Sequence, residues 1–316
     1  MNLPSDSIWH PPEGVTRHSG SAIAEDLIFF ETPPPEIGRL ITADSTLTTA
    51  KNPRTAPPRL AAVIFIGLSL GVTCWFILRW LLSDESLPTM GEWIGLVLIC
   101  GISIALTDLA IGFSITCSFV GEAGIAEATI KRPKRKEPTV KTILFQDISH
   151  LYTSRTREYV NGAYAHTRYE YRWLRSDKIV HTIAGVYYNE NDQPKDLGNL
   201  WYLGNAAETA WTDHLLQIAN QDLERLGYIE FPMSGNPQMV RVGQGFLEFV
   251  TRQGETQRVT VEDMKDVQLK SGQFYFKHKD TQWWSGKGKY SFAYGDMPNV
   301  ALFWLCLHRL TGFSFS

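Results

Sequence analysis

The sequence predicts a two-helix transmembrane hairpin followed by a cytoplasmic α+β region in which one unit occurs twice. Three observations predict it. Two long apolar runs lie close together between residues 60 and 115. After them the apolar residues switch to period two, broken twice by helical spacing. The order of the blocks then repeats.

The first run, Leu60 to Leu82, reads LAAVIFIGLSLGVTCWFILRWLL and carries a single charge, Arg79. The second, Trp93 to Ile115, reads WIGLVLICGISIALTDLAIGFSI and carries Asp108. About 20 apolar residues cross a hydrocarbon core as a helix, so spans at 60–82 and 93–115 are expected, with the hairpin occupying 59–115. The connector SDESLPTMGE forces the helices antiparallel. Lys51, Arg54 and Arg59 precede the first span, KRPKRK (131–136) follows the second, and the connector has acids but no Lys or Arg. The positive-inside rule therefore places both termini in the cytoplasm. Trp80 and Trp93 fall at the outer interface, to which Arg79 can snorkel. Asp108 is an intramembrane polar residue; the depth match on the first helix is near Gly67 and Ser69.

No basic n-region with an apolar stretch opens the chain, so no secretory signal is read. Residues 1–58 contain PPEG, TPPPE and NPRTAPP and read as a flexible Pro-rich cytoplasmic tail. Net charge is −3 with a pI near 6.3, which gives no overall pull toward nucleic acid. The four cysteines include no C-x-x-C pair and read as buried apolar residues.

The cytoplasmic region divides into units at 116–227 and 238–316. In the first, YAHTRYEYRWLR (164–175) and KIVHTIAGVYY (178–188) alternate as strands do, and Asn161-Gly162 marks a hairpin turn. Asn205 to Leu226 has helical spacing and ends at Gly227; Pro298 to Leu310 does the same before Gly312. Gly124-Ile-Ala-Glu-Ala-Thr-Ile-Lys131 resembles Gly245-Phe-Leu-Glu-Phe-Val-Thr-Arg252, and Ile143-Leu-Phe-Gln-Asp-Ile148 resembles Val259-Thr-Val-Glu-Asp-Met264. The offset changes by five residues between blocks, so the loop holding KRPKRK is longer in the first copy. Gly124, Gln146, Asp147, Gly245, Glu262 and Asp263 are the structural residues of the repeat, with the Gln-Asp and Glu-Asp pairs expected to cap turns through backbone N–H groups.

These pieces, with Phe145-Gln-Asp-Ile148, Val261-Glu-Asp-Met264 and one helix after each set of strands, resemble the pleckstrin-homology superfold. More specifically they resemble the PH-like domains of bacterial membrane proteins that carry a transmembrane hairpin, a resemblance that implies a bacterial inner (plasma) membrane as the location. The resemblance covers about 115 to 315. It implies tandem PH-like bent β-barrels, each of about seven strands and each closed by its C-terminal helix.

No P-loop spacing, H-E-x-x-H pair or G-x-S-x-G elbow is present, so no catalytic residue, metal or cofactor is assigned and the chain is read as a non-enzyme. The first reading is a membrane-anchored binding or scaffold protein that presents its two units to an unidentified cytoplasmic protein. A second is a sensor of anionic lipid through Lys131, Arg132, Lys134, Arg135 and Lys136. A third is a small homo-oligomeric channel or transporter using Asp108. The Arg- and Tyr-rich hairpin within 148–175 is either a solvated, charge-paired arm or a partner-binding wing.

Overall fold

The computed structural model describes residues 9–49, 57–81, 90–132, 137–190, 193–235, 237–270, 272–281 and 288–313. Among these residues fourteen strands form four antiparallel sheets in sets of four, three, four and three, and each three-stranded set precedes a helix. In the first unit β1 (Leu40–Ser45), β2 (Phe113–Gly121), β3 (Gly124–Arg132) and β4 (Thr139–Leu144) form one sheet. β5 (His150–Val160), β6 (Ala163–Arg175) and β7 (Lys178–Tyr187) form the next, followed by α3 (Leu200–Leu226). The second unit repeats this order. β8 (Tyr228–Pro232), β9 (Met239–Gly243), β10 (Phe246–Val250) and β11 (Thr256–Thr260) make its four-stranded sheet. β12 (Met264–Lys270), β13 (Gln273–His278), β14 (Lys289–Ala293) and a final helix, α4 (Val300–Thr311), complete it.

The expected closed barrels are therefore corrected. Among the described residues the two sheets of each unit share no ladder, and none of the four closes on itself. A one-turn 3-10 helix, Phe145–Asp147 or Val261–Asp263, redirects the chain between them. The sheets then pack through side chains, with the helix supplying apolar surface that paired edges do not.

The expected pair of membrane spans is corrected as well. Among the described residues α1 (Pro57–Leu81) is the one helix long and apolar enough to cross a bilayer. α2 (Met90–Ala110) stops short of residue 115, because Phe113 already pairs with Arg132 in β2–β3. Its apolar stretch, Trp93–Asp108, rises only about 24 Å against a hydrocarbon core of about 30 Å. The two helices pack closely over glycine. A Cβ at Gly67 would lie 2.6 Å from the Ile104 Cα, and one at Gly71 would lie 2.7 Å from the Cys100 Cα. Trp75 stacks on Trp93 and lies under the Arg79 guanidinium.

Residues 9–49 are no flexible tail. β1 pairs with β2, and Thr16 bridges to Thr42 at the sheet edge. Ile28, Phe29 and Phe30 pack with Ile37 and Leu47 over Cys117, Phe119, Ala126 and Ala128. Burial of these large apolar side chains offsets the entropy cost of ordering a proline-rich segment. α1 and α2 are thus an insertion between the first two strands of one sheet. The first unit starts well before residue 116, and the second starts at Tyr228, directly after the left-handed Gly227 that ends α3.

α3 begins at Leu200, five residues before the expected start, and is more than twice as long as α4. Its first half, with Leu203, Ala207 and Trp211, fills the first unit; Ala219, Leu215 and Leu223 pack into the second. One helix therefore serves two cores.

Candidate functional site

The base of the helical pair is held by one side chain. Arg59, at the start of α1, donates to Asp108 Oδ1 at 2.8 Å and to the backbone oxygens of Asp108 and Ile111 at 3.0 and 2.8 Å. Its guanidinium also lies 5.5 Å from the Phe113 ring centroid. Arg59 thus caps the carboxyl end of α2, where orphan carbonyls and the helix dipole favour a cation. It ties both helices to the first residue of β2. The depth match expected for Asp108 is replaced by this pair; Gly67 meets Ile104, and Ser69 Oγ donates to the Phe65 carbonyl.

The basic run begins at the same end of the sheet. Arg132 stands opposite Phe113 and the exposed Lys131 opposite Ser114, within four residues of the end of α2. Lys134, Arg135 and Lys136 lie outside the described residues.

A second feature emerges from the register. The β2–β3 hairpin closes on Gly121 opposite Gly124, and the β9–β10 hairpin closes on Gly243 opposite Phe246. The structural counterpart of Gly124 is therefore Phe246, and that of Ala123 is Gly245, whose φ of 75° suits glycine in the turn. The sequence match of Gly124 with Gly245 is one residue out of step. Along a strand such a slip exchanges the two faces.

The consequence is chemical. Across the inner face of the first sheet run Asp44, Ser118, Glu127 and Lys141, paired strand to strand. The same positions in the second unit are Phe231, Val240, Phe249 and Gln257. The outer faces reverse this. Ala43, Phe119 and Ala126 are covered by the N-terminal segment, whereas Glu230, Arg241 and Glu248 form a charged row continued by Arg258. In that row Arg241 and Arg258 each reach Glu248 at 2.9 Å. Burial opposes ionisation of Glu248, but the two arginines hold its carboxyl below the usual range.

The inner row of the first unit recruits partners from distant segments. Arg17 grips Asp44 through two 3.0 Å hydrogen bonds. Buried His18 contacts the Thr42 hydroxyl at 2.8 Å and the Ser118 hydroxyl at 2.9 Å. Burial, with Arg17 beside it, lowers the His18 pKa to about 3. Lys141 donates to the Val180 carbonyl at 3.1 Å and to His181 Nδ1 at 3.0 Å, which leaves Nε2 of the neutral ring as the N–H. That Nε2 lies 3.9 Å from Glu127 and, like the indole Nε1 of the neighbouring Trp173, is buried without a hydrogen-bond partner. Burial and then Lys141 bring His181 down to about 4, and burial raises Glu127 against the pull of Lys141.

Of the repeat residues, Gln146 and Glu262 are exposed in the 3-10 turns. Asp147 and Asp263 do not cap backbone N–H groups there: Asp147 accepts from Arg175 at 2.7 Å, and Asp263 accepts from Thr260 and pairs with Lys279. Sequence reasoning missed Arg17, His18 and Asn299. The first two sit in a segment read as a tail, and their only signal is a basic pair beside a Gly-Ser turn. Among the described residues no three His, Cys, Asp or Glu side chains gather as a metal site. No protein-family model and no curated protein matches the chain.

Proposed function

We propose that the protein is a membrane-anchored, non-enzymatic binding module whose two β-rich units lie at the cytoplasmic face. The carrying observation is the insertion of α1 and α2 between two paired strands of the first sheet, with outward faces that are apolar. Phe65, Trp80 and Val97 are 74%, 78% and 68% exposed, a density of large apolar groups that water does not tolerate and lipid does. Anchoring rests on α1, the helix with the length to cross. The family-level resemblance rests on the order of strands and helices alone. Extraction at alkaline pH tests the anchor: the protein should stay in the membrane pellet, and its release into the supernatant would remove the basis of the reading. Proximity labelling from residue 316, compared with a single-helix control anchor, tests the binding role. Labelling no different from that control counts against it.

A second reading has its own support. Lys131 and Arg132 stand beside the end of α2, so the basic run would lie at the headgroup level of an anchored protein. Each such charge contributes about 1 kcal/mol near an anionic leaflet. Changing Lys131, Arg132, Lys134, Arg135 and Lys136 to Gln should weaken flotation with phosphatidylserine vesicles and leave phosphatidylcholine flotation unchanged. Equal flotation with both lipids sinks this reading. Pairing of Asp108 with Arg59 supports a structural role for that carboxylate over ion conduction.

A further inference from the structure

The outer face of the β8–β11 sheet is open where its counterpart in the first unit is covered. Glu230, Arg241, Glu248 and Arg258 stand side by side across its four strands. In the first sheet the same positions hold Ala43, Phe119, Ala126 and Thr142. Residues 9–49 pack over the first three of these. In the second sheet Glu230 and Arg258 are exposed, and Met239 and Val250 in the adjoining row are half-buried.

The signs in this row alternate: negative, positive, negative, positive. Internal bonds fix that order, since Arg241 reaches Glu230 and Glu248, and Arg258 reaches Glu248, each at 2.9 Å. The centre is closed, with Glu248 5% exposed, but the two ends are not. The Glu230 and Arg258 side chains are 39% and 53% exposed. Glu230 accepts from Arg241 through Oε1, and Arg258 donates to Glu248 through Nε. Each end is therefore charge-paired without being saturated. The face is also flat. The Phe246 ring lies across Gly243, where a Cβ would collide with it, and the Arg258 guanidinium lies 4.0 Å from the ring centroid.

A row of this order is complementary to its own reverse. We infer that the outer face of the β8–β11 sheet pairs with the same face of a second copy of this chain, about a two-fold axis parallel to the strands. Under that operation Glu230 faces Arg258 of the second copy, and Arg241 faces its Glu248, each contact occurring twice. The adjoining row sets Met239 against Val250 of the second copy. A two-fold axis along the row would instead set like charge on like. Stacked sheets lie about 10 Å apart, a gap that opposed Glu and Arg side chains span. Four strands of five residues give a face of about 19 Å by 17 Å, so the dimer belongs to the weak, reversible class. The anchored-module reading does not depend on this contact, and alkaline extraction is indifferent to it.

The test is equilibrium sedimentation of the full chain in dodecyl maltoside over a range of protein concentration. It compares the wild type with Glu230→Arg, Arg258→Glu and an equimolar mixture of the two variants. The wild type should show a reversible monomer–dimer equilibrium that weakens as salt rises. Each variant alone sets like charge on like in both symmetry-related contacts and should dimerise at least about tenfold more weakly. The mixture should recover dimers, because the changed residues then face partners of opposite sign. Thermal melts check that each variant folds. Should either fail to fold, Glu230→Gln and Arg258→Gln carry the test, each weakening the dimer about two- to fivefold and flattening its salt dependence. A wild type that stays monomeric up to its solubility limit would overturn the inference. So would dimers indifferent to these substitutions, which would place the contact elsewhere, or a mixture of folded variants that stays monomeric.

Discussion

The two units share a strand order and a helix, yet they invest their polar and apolar residues on opposite faces. The second unit keeps an apolar interior of Phe231, Val240, Phe249, Phe274 and Phe303, with its charged row outside. The first turns Asp44, Ser118, Glu127 and Lys141 inward and covers its apolar outer face with residues 9–49. A sheet facing water on one side needs one apolar face; a sheet covered on both sides can carry a polar row, provided partners are brought to it. Arg17, His18 and His181 are those partners. The second unit thus reads as a stable platform, and the first as the unit modified to receive helices on one side and polar contacts within.

The comparison breaks most visibly in the second core. Phe303→Ala removes a fully buried ring that meets Phe231, Phe274 and Phe292, and should cost about 3–5 kcal/mol in chemical denaturation. A smaller loss would mean that this core is not the platform.

Next comes the link between units. Asn299, at φ 56°, accepts from the Leu151 amide and from Trp211 Nε1, both at 2.9 Å, and donates its own N–H to the Leu151 carbonyl. Asn299→Ala strands two buried donors and should cost about 2–3 kcal/mol. It should also split one unfolding transition into two. Asn299→Gly relieves the backbone while losing the same bonds, so a smaller loss than for alanine measures the strain.

Acid sensitivity sharpens the contrast further. His18 and His181 have folded pKa values of about 3 and 4, below the unfolded value of about 6.5. The unfolded chain takes up protons first, so the stability these two contribute is lost as pH falls below 6.5 toward 4 and then 3. Glu208, pushed up to about 7 by burial, acts in the opposite sense: its share is complete below about 4.5 and is lost as pH rises through 7. Between about 4.5 and 6.5 the two histidines make acid destabilising to the first unit, while Glu208, and Glu127 in the same sense, oppose it. Glu208→Gln should steepen that acid loss and raise stability at pH 8. Thermal melts across pH 4–8 that show no such steepening would contradict the assignment.

The smallest effect tests whether the inner row serves the fold. Glu127→Gln removes a carboxylate whose ionisation burial opposes, and should be neutral or stabilising by about 1 kcal/mol at pH 8. A loss of 2 kcal/mol or more would make Glu127 a structural ion partner of Lys141 and His181.

Elements with strong local signals were readable from the residues: the apolar run of α1, the Asn161-Gly162 turn, the alternation of β6 and β7, and the glycine stops after α3 and α4. Register was not. Gly124 and Gly245 look equivalent because both stand near a turn, and only the pairing of Gly121 with Gly124 and of Gly243 with Phe246 separates them. Arg59 reads as a flanking charge until the end of α2 is known to fall at Ala110. Residues 9–49 read as a tail because proline masks periodicity, and their order comes from a sheet built mostly of residues 113–144.

By itself the amino-acid sequence determined where apolar length, period-two alternation and turn residues lie, since these act between neighbours in the chain. The tertiary structure alone decided which face each strand buries, that α1 and α2 interrupt a sheet, and that Asn299 joins the units. Those outcomes depend on contacts between residues far apart in sequence, and a one-residue slip in register reverses their chemistry.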